Sequence, residues 1–146
     1  MMQYQLHISR RNLTRLYEHA EMLLPVEAVA LLFGTTSGVS VYANRVELME
    51  NTSKTILTSF SVDPEAEYNL LIEAEKRGES LVGIFHSHPA PPKPSLTDMR
   101  NMYLNPVIWL IASKLTGKWI IKGYVLDADD TPEVVIHVEE LDDSVP

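Results

Sequence analysis

The sequence contains no cysteine among its 146 residues, and this absence excludes three kinds of chemistry. Without thiols there is no disulfide framework, no thiolate zinc cluster and no cysteine nucleophile. Basic residues are scarce as well, because 12 lysines and arginines stand against 20 aspartates and glutamates, a formal net charge of −8. Nucleic acids and anionic membranes are bound through lysine and arginine patches, so we expect neither as a partner.

The chain also lacks long apolar runs. The longest, residues 26–33 and 107–112, fall well short of the roughly 20 residues that a membrane-spanning helix needs. The first eleven residues are polar and carry no apolar signal-peptide core, so the sequence predicts a cytoplasmic protein. The length suits one domain with its own hydrophobic core, since domains cluster at roughly 100–150 residues.

Helix and strand signals mix without strict alternation, which favours an α+β fold over a doubly wound sheet. Ser9 and Pro25 bracket an amphipathic helix. Asp63, followed by proline at the first helical position, predicts a second helix that ends at Gly78, and a short third helix starts at Ser95. Strands are predicted at residues 26–33, 39–48, 81–85, 107–112, 119–126 and 133–138, and a loop or short strand at 56–60.

Two histidines stand two positions apart, directly after an apolar strand. Side chains at i and i+2 of an extended segment point to the same face, so His86 and His88 offer two of the three protein ligands of a catalytic zinc site. Asp98, in the first turn of the third helix, offers a carboxylate as the third. Such a site keeps one position for water and lowers its pKa to about 7. Paired surface histidines without a metal are the alternative.

A catalytic zinc site also needs a base and an oxyanion donor. Glu27 lies in an apolar stretch, residues 25–34, where an isolated carboxylate is costly to bury without a cation or metal-bound water beside it. Ser95 is placed to donate to a developing oxyanion. The simpler alternatives are a Glu27 that faces solvent and a Ser95–Asp98 pair that only caps the third helix, although capping and catalysis are compatible.

In this order the motifs resemble those of the JAMM metalloprotease family, also called MPN-plus. The family pattern is an upstream glutamate, then His-Ser/Thr-His-Pro, then Ser-x-x-Asp after a loop. The matching residues are Glu27, His86-Ser87-His88-Pro89 and Ser95-Leu96-Thr97-Asp98. The similarity covers about residues 5–138. The loop between His88 and Ser95 has six residues, one fewer than is usual in the family, so we expect its path to differ.

The resemblance implies an α+β fold with a central curved mixed sheet flanked by helices. It places one JAMM domain at residues 1–138 and an acidic tail at 139–146. It also implies one zinc ion per chain and a role for five residues. These are the zinc ligands His86, His88 and Asp98, the general base Glu27 and the oxyanion donor Ser95.

The implied reaction is hydrolysis of the peptide or isopeptide bond after the C-terminal Gly-Gly of a ubiquitin-like or sulfur-carrier protein. The compact chain is similar to the stand-alone prokaryotic or archaeal form of the family. Residues 50–60 and 101–106 are candidate walls for an extended substrate tail. Two alternatives stay open: an inactive MPN scaffold or assembly subunit, which the retention of all five motif residues disfavours, and a zinc amidohydrolase with a different substrate.

Overall fold

The computed structural model describes residues 3–55, 60–115 and 117–140. In this part of the chain the elements follow the order β1 (Gln5–Ser9), α1 (Arg10–Leu23), β2 (Val29–Ser37), β3 (Ser40–Met49), α2 (Pro64–Lys76), β4 (Ser80–Ser87), α3 (Leu96–Leu104), β5 (Ile108–Ser113), β6 (Ile120–Tyr124) and β7 (Glu133–Glu139). Most of the possible strand at 56–60 and most of the acidic tail lie outside the described residues. No described helix is long and apolar enough to cross a membrane.

The strands close into a barrel in the order β1-β3-β2-β4-β5-β6-β7. β1 closes it by pairing in parallel with both β3 and β7, and β4 pairs in parallel with β5. The remaining pairs are antiparallel. The predicted α+β class and mixed sheet are confirmed, whereas closure into a barrel is a finding of the structure.

The first strand was not predicted, because residues 5–9 carry only two apolar side chains. Leu6 and Ile8 alternate with polar residues, and both are buried. Their register partners on β7 are Ile136 and Val138. A strand this short is recognisable only when its distant partners are known.

The predicted helices are confirmed, with the capping contacts expected from the sequence. The Ser9 hydroxyl accepts from the Asn12 N–H at the start of α1, and the Asp63 carboxylate accepts from the Ala66 N–H at the start of α2. Gly78 follows α2 with φ +73, the left-handed conformation that glycine adopts without strain.

The predicted end of β2 at Gly34 is wrong. β2 continues to Ser37, and the chain turns at Gly38 before β3. Gly34 lies at a register shift between β2 and β3, where an added Cβ would collide with the Tyr42 carbonyl. This glycine therefore permits a close approach of two backbones within the sheet, where the sequence pattern indicated a strand end.

The core has two clusters on opposite faces of the sheet, as the period-2 alternation of strand side chains requires. One joins α1 to the face that carries Ala30 and Leu32. The other joins α2 and α3 to the face that carries Leu31 and Ile84. Because His86 follows Ile84 by two residues, β4 directs its imidazole toward the side covered by α3.

Candidate metal centre

The predicted site residues meet where the end of β4 approaches α3 and the segment before β2. His86 is in β4 and His88 follows it, while Asp98 is in the first turn of α3. Glu27 was predicted inside a strand, but it lies just before β2, which begins at Val29. It does not face solvent, because only 3% of it is exposed.

Four titratable side chains contact one another in this region. Nε2 of His86 lies 3.2 Å from Oδ1 of Asp98, and Nε2 of His88 lies 3.4 Å from Oδ2 of the same carboxylate. On its other side, Nδ1 of His86 lies 3.3 Å from Oε1 of Glu27. All four side chains are at least nine-tenths buried. The fold thus brings together residues that the sequence separates by up to 71 positions (98 − 27).

The fifth predicted residue, Ser95, caps α3 and also lies beside these groups. Its hydroxyl accepts from the Asp98 N–H at 3.0 Å, and the Asp98 carboxylate accepts from the Ser95 N–H at 2.9 Å. This reciprocal pair is a capping box, so the capping interpretation is confirmed. The bond uses an acceptor position of the hydroxyl and leaves its proton able to donate elsewhere.

The proline-rich loop between His88 and Ser95 does not pull α3 away from the histidines. Tyr124 donates a hydrogen bond from its hydroxyl to the Pro92 carbonyl at 2.6 Å, which anchors the loop to the end of β6. With this loop in place, Asp98 still contacts both imidazoles.

The pKa of His86 reflects two opposed influences. Burial disfavours the imidazolium and by itself lowers this pKa, but the carboxylates of Asp98 and Glu27 outweigh burial and raise it to about 9. For Asp98, burial raises the pKa. The two imidazoles and the Ser95 N–H outweigh that effect and hold the Asp98 pKa well below its usual range. At neutral pH this arrangement therefore stabilises a His86 cation between two carboxylates.

The donor set fits a zinc ion by its chemistry. Two imidazoles and a carboxylate are a common ligand set for catalytic zinc, and Nε2 of His86 is buried without a hydrogen-bond partner. Buried polar atoms of this kind are rare and can mark the place of an ion or water. As they stand, the side chains contact each other directly, and within the described residues no group of three His, Asp or Glu is spaced to hold a metal. The ligands would have to separate slightly to admit one.

Two cavities flank these side chains. One of about 270 Å³ is lined by Glu27, Phe60, His88, Pro89, Ala90, Ser95, Thr97, Asp98 and Asn101. A smaller one of about 140 Å³ shares Glu27 and His88 with it. A larger cavity, about 650 Å³, lies at the first residues of β4 and β5, at the other end of these strands from the histidines. Neither histidine borders this larger cavity, so the candidate site is identified by its residues and not by cavity size.

Several neighbours that hold the site were not predicted. Phe60 stacks on the His86 ring with centroids 4.8 Å apart. The Ser87 hydroxyl accepts from the Ala28 N–H at 2.8 Å, and Asn51 donates to the Glu27 carbonyl at 2.8 Å. Ser87 belongs to the motif and therefore had a signal in the sequence, whereas Phe60 and Asn51 were indicated only by the predicted wall segment 50–60. The last two contacts bind the N–H and the carbonyl of the peptide group between Glu27 and Ala28 and so fix the backbone next to Glu27.

Comparison with known proteins agrees with the fold and the motifs. A family model described as prokaryotic homologs of the JAB domain matches residues 9–122. Over 116 residues the chain is 38% identical to a desampylase of Pyrococcus furiosus, covering 78% of this chain and 77% of that protein. Over 90 residues it is 30% identical to a desampylase of Haloferax volcanii, covering 61% and 63%.

A solution structure of a protein from Desulfitobacterium hafniense matches the barrel with a TM-score of 0.82 and 29% identity, covering 94% of this chain and 95% of that one. The fold is thus shared with a solved structure over nearly the whole chain. The chain belongs to the family of prokaryotic JAB-domain homologs, and the resemblance to JAMM proteins is confirmed.

Proposed function

We propose that this protein is a zinc-dependent isopeptidase that cleaves after the C-terminal Gly-Gly of a ubiquitin-like or sulfur-carrier protein. The observation that carries this proposal is the buried convergence of His86, His88, Asp98 and Glu27 beside a cavity. The two desampylase relatives support action on ubiquitin-like modifiers. The retention of all five motif residues in one place argues against an inactive scaffold.

His86, His88 and Asp98 would hold the zinc. When bound in such a site, zinc lowers the pKa of water to about 7 and polarises a carbonyl. The carboxylate of Asp98 is already oriented for this role, because its capping bond to the Ser95 N–H fixes the first turn of α3.

Glu27 acts as the general base. Its carboxylate takes a proton from the attacking water and passes it to the leaving amine. Two acceptors compete for Nδ1 of His86: the Ser87 carbonyl at 3.2 Å and the Glu27 carboxylate at 3.3 Å. When the Nδ1 proton is donated to the Ser87 carbonyl, the Glu27 carboxylate is released toward the cavity that it lines. Its backbone is held in place, because Asn51 and Ser87 bind the carbonyl and the N–H of the peptide group between Glu27 and Ala28.

Ser95 stabilises the oxyanion. Its hydroxyl oxygen is fixed by the Asp98 N–H, and its proton is free to donate to another acceptor. A donor that is positioned before the reaction needs no reorganisation as negative charge develops on the carbonyl oxygen. Ser95 lines the same cavity as Glu27, so a scissile bond in that cavity would have both groups beside it.

The surface beside the cavity suits a protein substrate. Phe60 and Asn101, which belong to the two predicted wall segments, both line the cavity. On the outer side of α3, Leu96, Tyr103 and Leu104 are each about three-quarters exposed. Apolar groups clustered on a surface indicate contact with another protein, and these lie on the helix that carries Asp98.

The test is incubation with ubiquitin-like proteins linked through Gly-Gly either to a lysine side chain or to a linear extension, with and without a zinc chelator. We expect cleavage that the chelator abolishes and added zinc restores. Small amide substrates run in parallel test the amidohydrolase alternative. Hydrolysis of the small amides alone would refute the proposed substrate, and chelator-resistant cleavage would refute the role of zinc.

A further inference from the structure

Three buried polar atoms without hydrogen-bond partners lie in or beside the candidate metal centre. In the described residues there are five such atoms, of which two belong to Arg45 and the others are Nε2 of His86, Nδ1 of His88 and Oγ of Ser113. Ser113 is only 2% exposed and belongs to none of the motifs. The proposed zinc would bind Nε2 of His86, and it leaves Nδ1 of His88 and Oγ of Ser113 without an explanation.

The pairing of β4 with β5 places these two residues opposite each other. The register runs from Gly83↔Ile108 to Ser87↔Ala112 without a shift, and the His88 N–H donates to the Ala112 carbonyl at 2.9 Å. In a parallel ladder a residue donates its N–H to the carbonyl of the residue just before the one that stands opposite it. The bond from His88 to Ala112 therefore places His88 opposite Ser113. Opposed residues on strands about 4.8 Å apart direct their side chains to the same face of the sheet. The side chains of His88 and Ser113 therefore project from one face.

A histidine that binds a metal through one ring nitrogen normally donates its other N–H to an acceptor, which fixes the ring. His86 has such an acceptor for Nδ1 in the Ser87 carbonyl, 3.2 Å away. His88 directs Nε2 toward Asp98, and its Nδ1 has no partner. A serine hydroxyl provides the missing acceptor, because its oxygen has two lone pairs.

We propose that Ser113 is a positioning residue for His88. With zinc bound, its hydroxyl accepts the Nδ1 proton of His88, directly or through one water, and thereby holds Nε2 toward the metal. This inference rests on the proposed zinc site. It gives each zinc-binding histidine its own acceptor, the Ser87 carbonyl for His86 and the Ser113 hydroxyl for His88.

The experiment measures zinc affinity of the full chain by chelator competition for wild type, Ser113→Ala and Ser113→Thr. We expect a 10- to 100-fold loss for Ser113→Ala, the range found when such supporting partners are removed. Ser113→Thr keeps the hydroxyl and should retain most of the affinity. Ser80→Ala is the matched control, since Ser80 begins β4 at the opposite end of the strand, and it should bind zinc as wild type does.

Two further readouts separate positioning from a merely structural role. The thermal midpoint of metal-free Ser113→Ala should equal or exceed that of wild type, because the change removes a buried hydroxyl that has no partner. In the zinc form, nitrogen NMR of the imidazoles should show a protected Nδ1–H on His88 in wild type and Ser113→Thr, and its loss in Ser113→Ala.

Unchanged zinc affinity in Ser113→Ala, with the His88 Nδ1–H still protected, would overturn this inference and leave the zinc site intact. A parallel loss of metal-free stability and zinc affinity that Ser113→Thr does not rescue would also overturn it. Failure of the wild type itself to bind zinc would instead refute the proposed function, on which the inference rests.

Discussion

The protonation of His86 leads to a quantitative prediction about zinc binding. Its two carboxylate neighbours raise its pKa to about 9, so in the metal-free protein the imidazole is almost entirely protonated at pH 7. Zinc requires the neutral imidazole and must therefore displace a proton. The raised pKa thus opposes metal binding at low pH and ceases to do so above about pH 9.

The magnitude follows from the gap between the working pH and this pKa. Well below pH 9 each further pH unit should weaken the apparent zinc affinity about tenfold, so at pH 7 the affinity is about 100-fold below its high-pH limit. About one proton per zinc should be released from His86 at pH 7, and almost none at pH 10.

The assay is calorimetric titration of the metal-free chain in buffers of different ionisation enthalpy, with zinc held by a competing chelator of known pH dependence. Glu27→Gln is the informative variant, because it removes one of the two carboxylates that stabilise the imidazolium. Its affinity should level off at a lower pH than that of wild type. A zinc affinity that is constant between pH 7 and pH 9, or binding without proton release at pH 7, would refute the reasoning.

Three further predictions concern His86, Glu27 and Gly34. Because the folded-state pKa of His86 lies above its unfolded value of about 6.5, the stabilisation is complete below pH 6.5 and is lost as the pH rises toward 9. In chelator, urea unfolding should show a decrease of about 3 kcal/mol over that window, and a rise would contradict it. Glu27→Gln should retain zinc and lower kcat about 10²- to 10⁴-fold; an unchanged kcat would remove Glu27 from its role. Gly34→Ala should lower the free energy of unfolding by more than about 2 kcal/mol, because its Cβ meets the Tyr42 carbonyl, and a stability equal to wild type would show that the two strands separate easily.

The location of Glu27 explains why a carboxylate is tolerated in an apolar environment. It lies in the segment before β2, where Asn51 binds its carbonyl and the neighbouring Ala28 N–H is bound by Ser87. Its carboxylate contacts His86, a cation in the metal-free form. The burial cost is thus offset by an opposite charge, while the peptide group between Glu27 and Ala28 has partners for both its carbonyl and its N–H.

Local signals in the sequence predicted the features that depend on neighbouring residues. The Asp63 and Ser95 caps, and the two-residue spacing of His86 and His88, act within one turn or one strand and were all found in the structure. The order of the motifs indicated the family. The zinc, the substrate and the roles of the five site residues stay proposals that rest on this agreement.

Features that depend on distant residues were decided by the tertiary structure. Barrel closure joins β1 to β7, with Gln5 opposite Val135. The residues of β1 and their immediate neighbours do not indicate that β7 is the strand with which β1 pairs. Gly34 resembles a strand end because its contact with Tyr42 comes from the next strand.

The sequence by itself determined which side chains are available for metal chemistry, because residue types and their local spacing are written in it. Only the tertiary structure decided that Glu27 faces His86 and that Ser113 stands opposite His88. Strand pairing and burial set those distances, and both arise from hydrogen bonds and apolar contacts between residues far apart in the chain.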